Sequence, residues 1–365
     1  MVVLGIETSC DETAAAVVED GKKLLSNVVA SSLDLHIPFG GVVPEIAARS
    51  HLEVILPTID QALTDAFQGP ALEMEKMWSG IDAIAVTQGP GLLGSLLIGV
   101  ITARTLAIAK NKPLYAVNHV EAHVYSTFIT DASGLLSTHY SLPTTAPKFP
   151  ILALIVSGGH TQLVLFQDHF KHKVLGQTRD DAVGEAFDKV AKMLGFPYPG
   201  GPSIAKAAQK GSPDSISLPE VKMESPYDFS FSGLKTAVLR AGQSLSSHSY
   251  DFPSSQLPGA LDEAQKADLA ASFQKAAIDT LARALRRAEL RYGPRSIVVA
   301  GGVAANQELR RTISEQIGTD VSYPDIKLCT DNAAMVATLG CFKLLRKQPD
   351  ADSYSLEPDP GLRMR

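Results

Sequence analysis

The chain has 365 residues, 45% hydrophobic and 20% charged, a balance that suits a compact protein of two domains and excludes a largely disordered or low-complexity one. A formal net charge of −6 argues against a protein that coats nucleic acid by bulk charge, while leaving room for a local basic patch. The cysteines Cys10, Cys329 and Cys341 form no CxxC pair, which argues against a zinc ribbon or disulfide framework and for a reducing compartment.

Residues 2–8 read as an apolar strand that turns through Ser9-Cys10-Asp11-Glu12-Thr13 and returns over 14–19. The turn offers hydroxyls, backbone amides and two carboxylates, which suits phosphate or metal-phosphate binding and equally an ordinary polar turn. No charged segment with a short apolar core precedes the strand, and no Arg/Ser-rich presequence. The expected location is therefore the cytoplasm, or a mitochondrial or plastid matrix if a transit peptide has been removed. Residues 83–103 carry no charge and superficially resemble a membrane span, but Gly89, Pro90, Gly91, Gly94 and Gly99 interrupt them. They read as a buried strand over 81–87, a Gly-Pro-Gly turn and a buried helix over about 92–109.

Asn118-His119-Val120-Glu121-Ala122-His123 follows. On a helix its two imidazoles lie about 5–6 Å apart on one face and can grip one metal ion, although two surface histidines would show the same spacing. The metalloprotease version needs Glu directly after the first His; here that place is Val120, and Glu121 projects toward roughly the opposite face. A third ligand is available far away, in Cys329-Thr330-Asp331-Asn332.

Residues 131–150, rich in Ser, Thr and Pro, read as a linker or insertion. The opening theme then returns, with strand 151–156, turn Ser157-Gly158-Gly159-His160-Thr161 and strand 162–166, which suggests an internal duplication. Glycines in such a turn let backbone N–H groups approach an anion. Residues 243–262 read as a polar loop. Over 267–291, apolar residues recur at helical spacing opposite Lys275, Arg283, Arg286, Arg287 and Arg291, either a solvated face or a phosphate contact. Strand 295–300 feeds Gly301-Gly302-Val303-Ala304-Ala305-Asn306 and a further helix, placing open backbone beside a positive helix terminus. No Walker-type GxxxxGK[ST] is present, so phosphate is expected between loops of the two domains. Residues 348–365 look like a weakly ordered tail.

Taken together, these motifs carry a resemblance. With Gly40-Gly41-Val42-Val43-Pro44-Glu45, Gly184-Glu185-Ala186-Phe187-Asp188-Lys189, Tyr198-Pro199-Gly200-Gly201-Pro202 and Phe229-Ser230-Phe231-Ser232-Gly233-Leu234-Lys235, they run in family order over about residues 2–345. The chain resembles the universal tRNA N6-adenosine threonylcarbamoyltransferase family in its bacterial or organellar branch, once labelled O-sialoglycoprotein endopeptidase. The resemblance implies an α/β, actin/Hsp70/sugar-kinase-like (ASKHA) duplicated two-domain fold with a central cleft. The expected divisions are 1–130, a linker 131–150, a second domain 151–345 with a helical insertion over about 180–265, and a tail 346–365.

The resemblance also implies a reaction: transfer of threonylcarbamoyl from threonylcarbamoyl-AMP to N6 of adenosine 37 in tRNAs reading ANN codons, giving t6A and AMP. One divalent ion per subunit, Fe2+ or Zn2+, falls to His119, His123 and Asp331. The adenylate falls to Ile155, Val156, Ser157, Gly158, Gly159, Asp188, Gly201 and Asn306. Ile155 stands where the archaeal and eukaryotic branch has a metal-contacting tyrosine. The adenine amine is a poor nucleophile, so a carboxylate that accepts its proton is expected, with Asp11 or Glu12 as candidates. For tRNA, a small patch from Lys235 and Arg240 is expected, joined by the basic face over 283–291. Expected partners are a separate threonylcarbamoyl-adenylate synthase, with an inactive ASKHA paralogue and a small P-loop ATPase if bacterial, or a second copy of the chain if organellar, and no membrane. An ASKHA-fold ATPase or regulatory subunit, and a glycoprotein metallopeptidase, are the competing function classes.

Overall fold

The computed structural model describes residues 1–68, 74–132, 145–220 and 223–364. The chain forms two compact units, Met1–Pro147 with Ser322–Arg365, and Lys148–Val321. Most of the insertion expected over 131–150 lies outside the described residues; at its start Asp131 bridges to Lys23.

In the first unit β1 (Val2–Glu7), β2 (Glu12–Glu19) and β3 (Lys23–Ser31) make an antiparallel meander. The short helix α1 (Leu33–His36), the long α2 (Pro44–Phe67) and α3 (Met74–Ser79) follow. β4 (Ala83–Gly89) pairs parallel with β1, α4 (Leu93–Lys110) crosses over, and β5 (Leu114–Asn118) pairs parallel with β4. The sheet order is β3-β2-β1-β4-β5, and α5 (His119–Tyr125) starts directly at the end of β5. β1 is an almost unbroken apolar run because both its faces are covered. Leu4, Ile6, Ile84 and Val86 point into a core with Ile55, Ile59 and Leu63 of α2 and Val100 and Ala103 of α4.

The second unit repeats this order. β6 (Ile151–Val156), β7 (Thr161–Asp168) and β8 (Lys171–Gln177) form the meander. Then come α6 (Val183–Leu194), α7 (Gly200–Ala208), α8 (Ser232–Leu245), α9 (Leu257–Ala260) and α10 (Glu263–Tyr292). β9 (Ser296–Ala300) pairs parallel with β6, and α11 (Gln307–Gln316) leads to β10 (Val321–Ser322), for an order of β10-β9-β6-β7-β8. Matching strand orders make this the duplicated actin/Hsp70/sugar-kinase fold. α10 opens with a capping box, in which Asp262 accepts from Gln265 N and the Gln265 side chain accepts from Asp262 N, and ends at left-handed Gly293. Its expected apolar face is buried through Leu269, Phe273, Ala277, Leu281, Leu285 and Ala288.

Three expectations change. First, α12 (Ala333–Leu345) and the segment after it belong to the first unit, not to a second domain ending at residue 345. α12 is apolar all round and lies on β1 and β4 where small residues allow close approach: a Cβ on Gly5 would sit 2.4 Å from Ala333 O, and one on Gly340 2.5 Å from the Ala85 Cβ. Second, residues 346–364 are not a loose tail. The Arg104 guanidinium donates to the carbonyls of Ser353, Tyr354 and Leu356, Ala351 N to Leu114 O and Asp359 N to Gln88 O. Third, the span 243–262 is tied down rather than a free polar loop. Buried Gln243 donates through its amide to the carbonyls of Tyr250 and Phe252, and Leu257 of α9 is buried.

α4 also differs from a fully buried helix. Among the described residues it is the one helix long and apolar enough to cross a membrane. It buries Leu96, Gly99, Val100, Ala103 and Ala107 on its own unit and leaves Leu93, Leu97, Ile101 and Ile108 between 39% and 58% exposed.

Candidate active site

The first unit concentrates its polar chemistry at the ends of β1, β4 and β5. Asn118, the last residue of β5, caps α5 by accepting from the backbone N–H groups of Val120 and Glu121. That cap sets the helix phase, and His119 and His123 face the same way, ring centroids 4.7 Å apart. Asn332 caps α12 in the same manner, accepting from Met335 N and donating to the carbonyls of Leu328 and Thr330. The residue before that cap, Asp331, is thereby delivered to the histidines. Its Oδ1 lies 3.5 Å from His119 Nε2 and 3.4 Å from His123 Nε2, and one ligand atom from each of the three residues falls within 4.8 Å of the others.

The donor set fits a divalent metal. His123 is fully buried, yet among the described residues neither of its ring nitrogens finds a hydrogen-bond partner, an arrangement a bound cation would satisfy. Burial works against charge on His119, but the carboxylates of Asp331 and Glu7 outweigh it and push its pKa up to about 9, so the pocket favours positive charge. Glu121 faces elsewhere: it is buried, burial drives its pKa up to about 7, and the nearby cation is Lys343. It is not among the residues that could share the metal, so the helix lacks the water-activating carboxylate of a zinc peptidase.

The loop between β1 and β2 packs beside this centre. Leu92 N and Ser95 Oγ donate to the carbonyls of Ser9 and Cys10 respectively. His51 Nε2 donates to Cys10 O at 3.0 Å while its Nδ1 accepts from Thr13 Oγ1 at 2.7 Å, the neutral form that its burial favours. Of the two expected proton acceptors, Asp11 is buried, and Glu12 is raised to about 10 by burial and then by Asp331 and Asp11. Glu12 is therefore a proton carrier unless positive charge sits at the triad. One residue that pattern reading passed over is Glu7, at the end of β1. Its fully buried carboxylate accepts from Ser9 N (2.6 Å), Thr87 Oγ1 (2.7 Å) and His119 Nδ1 (3.1 Å). Burial opposes its ionisation, but His119 and the hydrogen bonds hold its pKa below the usual value. A lone acid closing an apolar strand was the available signal.

In the second unit the turn between β6 and β7 is closed by Ser157 N donating to His160 O (2.8 Å) and His160 N to Ser157 Oγ (3.1 Å), which leaves Gly158 and Gly159 exposed at its tip. The glycines around this turn fall into two kinds. Gly184, Gly200 and Gly301 are required by packing: a Cβ there would lie 2.6 Å from Ser157 O, 2.5 Å from the Asp188 Cα and 2.4 Å from Val156 O. Gly158, Gly159, Gly201 and Gly302 have nothing within 4 Å of a would-be Cβ and no left-handed φ. The fold does not need glycine at those four positions, which leaves their backbone open to a ligand. Ile155 and Val156 are buried in β6 behind the turn.

Asp188 Oδ1 accepts from Gly200 N at 2.7 Å, at the start of α7, while burial raises its pKa. Asn306 has structural work: its Oδ1 caps α11 through Leu309 N, and its amide donates to Gln274 Oε1 at 2.9 Å. The expected tRNA residues are differently placed. Lys235 Nζ is engaged by Asp181 at 3.0 Å, whereas Arg240 stacks 5.6 Å over the ring of Tyr250, which is 69% exposed. On α10, Arg283 pairs with Glu220 and Arg286 with Glu289.

A family model described as tRNA N6-adenosine threonylcarbamoyltransferase matches residues 23–338. A protein of that name from Thermomicrobium roseum is 49% identical over 344 residues, 92% of this chain and 90% of its own. Another from Caldicellulosiruptor saccharolyticus is 45% identical over 367 residues, covering 100% and 98%. Among solved structures, full-length HypF in its phosphate- and nucleotide-bound form aligns with a TM-score of 0.55 at 12% identity, over 94% of this chain and 55% of that one. HypF from T. kodakarensis gives 0.56 at 14%, over 94% and 48%. At that identity the two HypF structures speak for the fold alone.

Proposed function

Since the chain belongs to the tRNA N6-adenosine threonylcarbamoyltransferase family and is a transferase of tRNA t6A modification, we propose that it takes threonylcarbamoyl from threonylcarbamoyl-AMP and places it on N6 of adenosine 37 in tRNAs reading ANN codons. The observation that carries the donor assignment is the set of four glycines, Gly158, Gly159, Gly201 and Gly302, which no steric demand of the fold explains. They give an adenylate phosphate bare backbone to approach, and Asp188 presents a carboxylate for a ribose hydroxyl.

The donor is already activated, so the protein chiefly holds it, shields it and manages one proton. A divalent ion held by His119, His123 and Asp331 supplies Lewis acidity toward the donor's oxygens. Attack by the adenine amine forms the new C–N bond, AMP leaves with the electrons of the broken anhydride bond, and the amine proton passes to a carboxylate of the β1–β2 loop. Asp11 and Glu12 are the two candidate acceptors, Glu12 only once a cation at the triad offsets the charge of Asp331 that helps hold its proton. Gln274, which anchors the Asn306 amide, orients the loop after β9.

The apolar stripe of Leu93, Leu97 and Ile101 on α4, beside exposed Leu52 and Leu56 of α2, supports a protein partner. We assign it to the matching helix pair of an inactive ASKHA paralogue; a second copy of this chain is the alternative that measurement distinguishes. A threonylcarbamoyl-adenylate synthase supplies the donor, and a small P-loop ATPase completes a bacterial-type assembly. Cys10, Cys329 and Cys341 are in the thiol form, which suits a reducing compartment such as the cytoplasm. The test mixes purified protein, threonylcarbamoyl-adenylate and unmodified tRNA, with and without these partners, and seeks t6A by mass spectrometry. No product in either mixture from folded, metal-loaded protein would overturn the assignment.

A further inference from the structure

Glu7 is a charged side chain at the end of an apolar strand, and its surroundings specify what it is for. Its backbone belongs to β1, and its three donors come from the β1–β2 loop, from β4 and from α5. Ser9 N can only donate, so one carboxylate oxygen, Oε1, is committed to it. The other, Oε2, receives Thr87 Oγ1–H and faces His119 Nδ1 at 3.1 Å, a nitrogen that Ser9 Oγ also approaches at 3.1 Å. An acceptor in that position keeps one proton of His119 on Nδ1, so that when a cation displaces the other the lone pair is offered by Nε2, the nitrogen directed at Asp331. Buried carboxylates are costly, and a purely structural bridge between Ser9 N and Thr87 would be served by a neutral amide. Of the two partners of His119 Nδ1, the Ser9 hydroxyl can accept or donate, whereas the carboxylate can only accept and so fixes the proton there.

We propose that Glu7 is a positioning residue for the metal centre: it fixes the Nδ1–H tautomer and ring orientation of His119 and thereby sets the metal affinity of the triad. This rests on the reading of His119, His123 and Asp331 as metal ligands. Glu7→Gln tests it sharply. Ser9 N still demands the oxygen, so the new NH2 occupies the place of Oε2 and offers a proton to His119 Nδ1. With only the two-way Ser9 hydroxyl left as an acceptor, the ring is no longer held as the Nδ1–H tautomer and gains the Nε2–H form, whose lone pair points away from the metal.

The experiment measures zinc dissociation constants by chelator competition for the wild type, Glu7→Gln, Glu7→Asp and Asp331→Ala, alongside thermal unfolding of each metal-free protein. Glu7→Gln is expected to bind zinc about 10- to 100-fold more weakly, with the metal-free melting temperature close to wild type. Glu7→Asp keeps the charge but withdraws it by one methylene, and is expected to lose about 10-fold. Wild-type affinity in either folded Glu7 variant overturns the proposal, and so does a failure of both to fold, which would assign Glu7 to folding. Asp331→Ala separates the two levels of the argument: if it retains full affinity, the triad itself is misread, whereas if it alone loses affinity, only the role of Glu7 fails.

Discussion

Replacing Gly159 by Val isolates the ligand's claim on the second-unit turn from the fold's. A Cβ at Gly159 meets nothing within 4 Å, and the residue does not use a left-handed φ. Removing glycine's freedom from the unfolded chain therefore stabilises by about 0.4–1 kcal/mol or is neutral, leaving the melting temperature unchanged or higher by roughly 1–4 °C. The added methyl groups project from the exposed tip, where a phosphate would draw on backbone N–H donors. Losing one such charge-assisted bond costs about 1.5–3 kcal/mol, a weakening of AMP binding of roughly 10- to 150-fold. Isothermal calorimetry with AMP, paired with thermal unfolding, reads both quantities on one preparation. Gly301→Val is the opposite control: with φ at +96° and Val156 O 2.4 Å from the would-be Cβ, it should lose stability outright. Wild-type AMP affinity in a normally folded Gly159→Val protein would refute the assignment of the turn to the nucleotide.

His123→Ala and Asp331→Ala should each yield folded protein depleted of metal, as read by elemental analysis after gel filtration, because each removes one of three converging ligands; full occupancy in both would remove these residues from the centre. Arg104→Ala strips three carbonyl acceptors of their donor and should loosen residues 350–364 by about 1–3 kcal/mol, seen as faster limited proteolysis there; unchanged cleavage would mean that the backbone bonds alone hold the segment. Ile101→Asp, at a position 48% exposed, should leave the monomer stable while abolishing association with the proposed paralogue or with a second copy, as sedimentation would show; undiminished association would place the partner elsewhere.

Much of the fold was legible because strand–turn–strand units and long amphipathic helices write their own periodicity. The apolar runs over 2–7 and 151–156, and the spacing of Leu269, Phe273, Ala277 and Leu281, each correspond to an observed element. The place of α12 was not legible. A helix that is apolar on every side carries no mark of which sheet it covers, and chain order suggests the nearer one. The decision lies in backbone proximity, through Gly5 beneath Ala333 and Gly340 above Ala85, which no periodicity reports. The segment 346–364 misled for a related reason: what it offers to Arg104, Leu114 and Gln88 are its own backbone carbonyls and N–H groups, which every residue owns.

The candidate site shows the same division, and the duplication explains why. The spacing of His119 and His123 is a helical signal, but Asp331 reaches them only because the cap of α12 holds it at the end of a sheet it covers. The loops β1–β2 and β6–β7 occupy equivalent places in two sheets of the same order, yet their chemistry has diverged in opposite directions. The first holds Asp11 and Glu12 beside a third acid, Glu7, and contains no glycine, so its electrostatics favour a cation and a proton. The second holds Gly158 and Gly159 and no acid, so it offers unhindered backbone dipoles to an anion. On the proposed reading the first turn serves acid–base and metal work and the second phosphate binding, a split suited to a reaction that must hold an adenylate while a poor amine nucleophile gives up its proton.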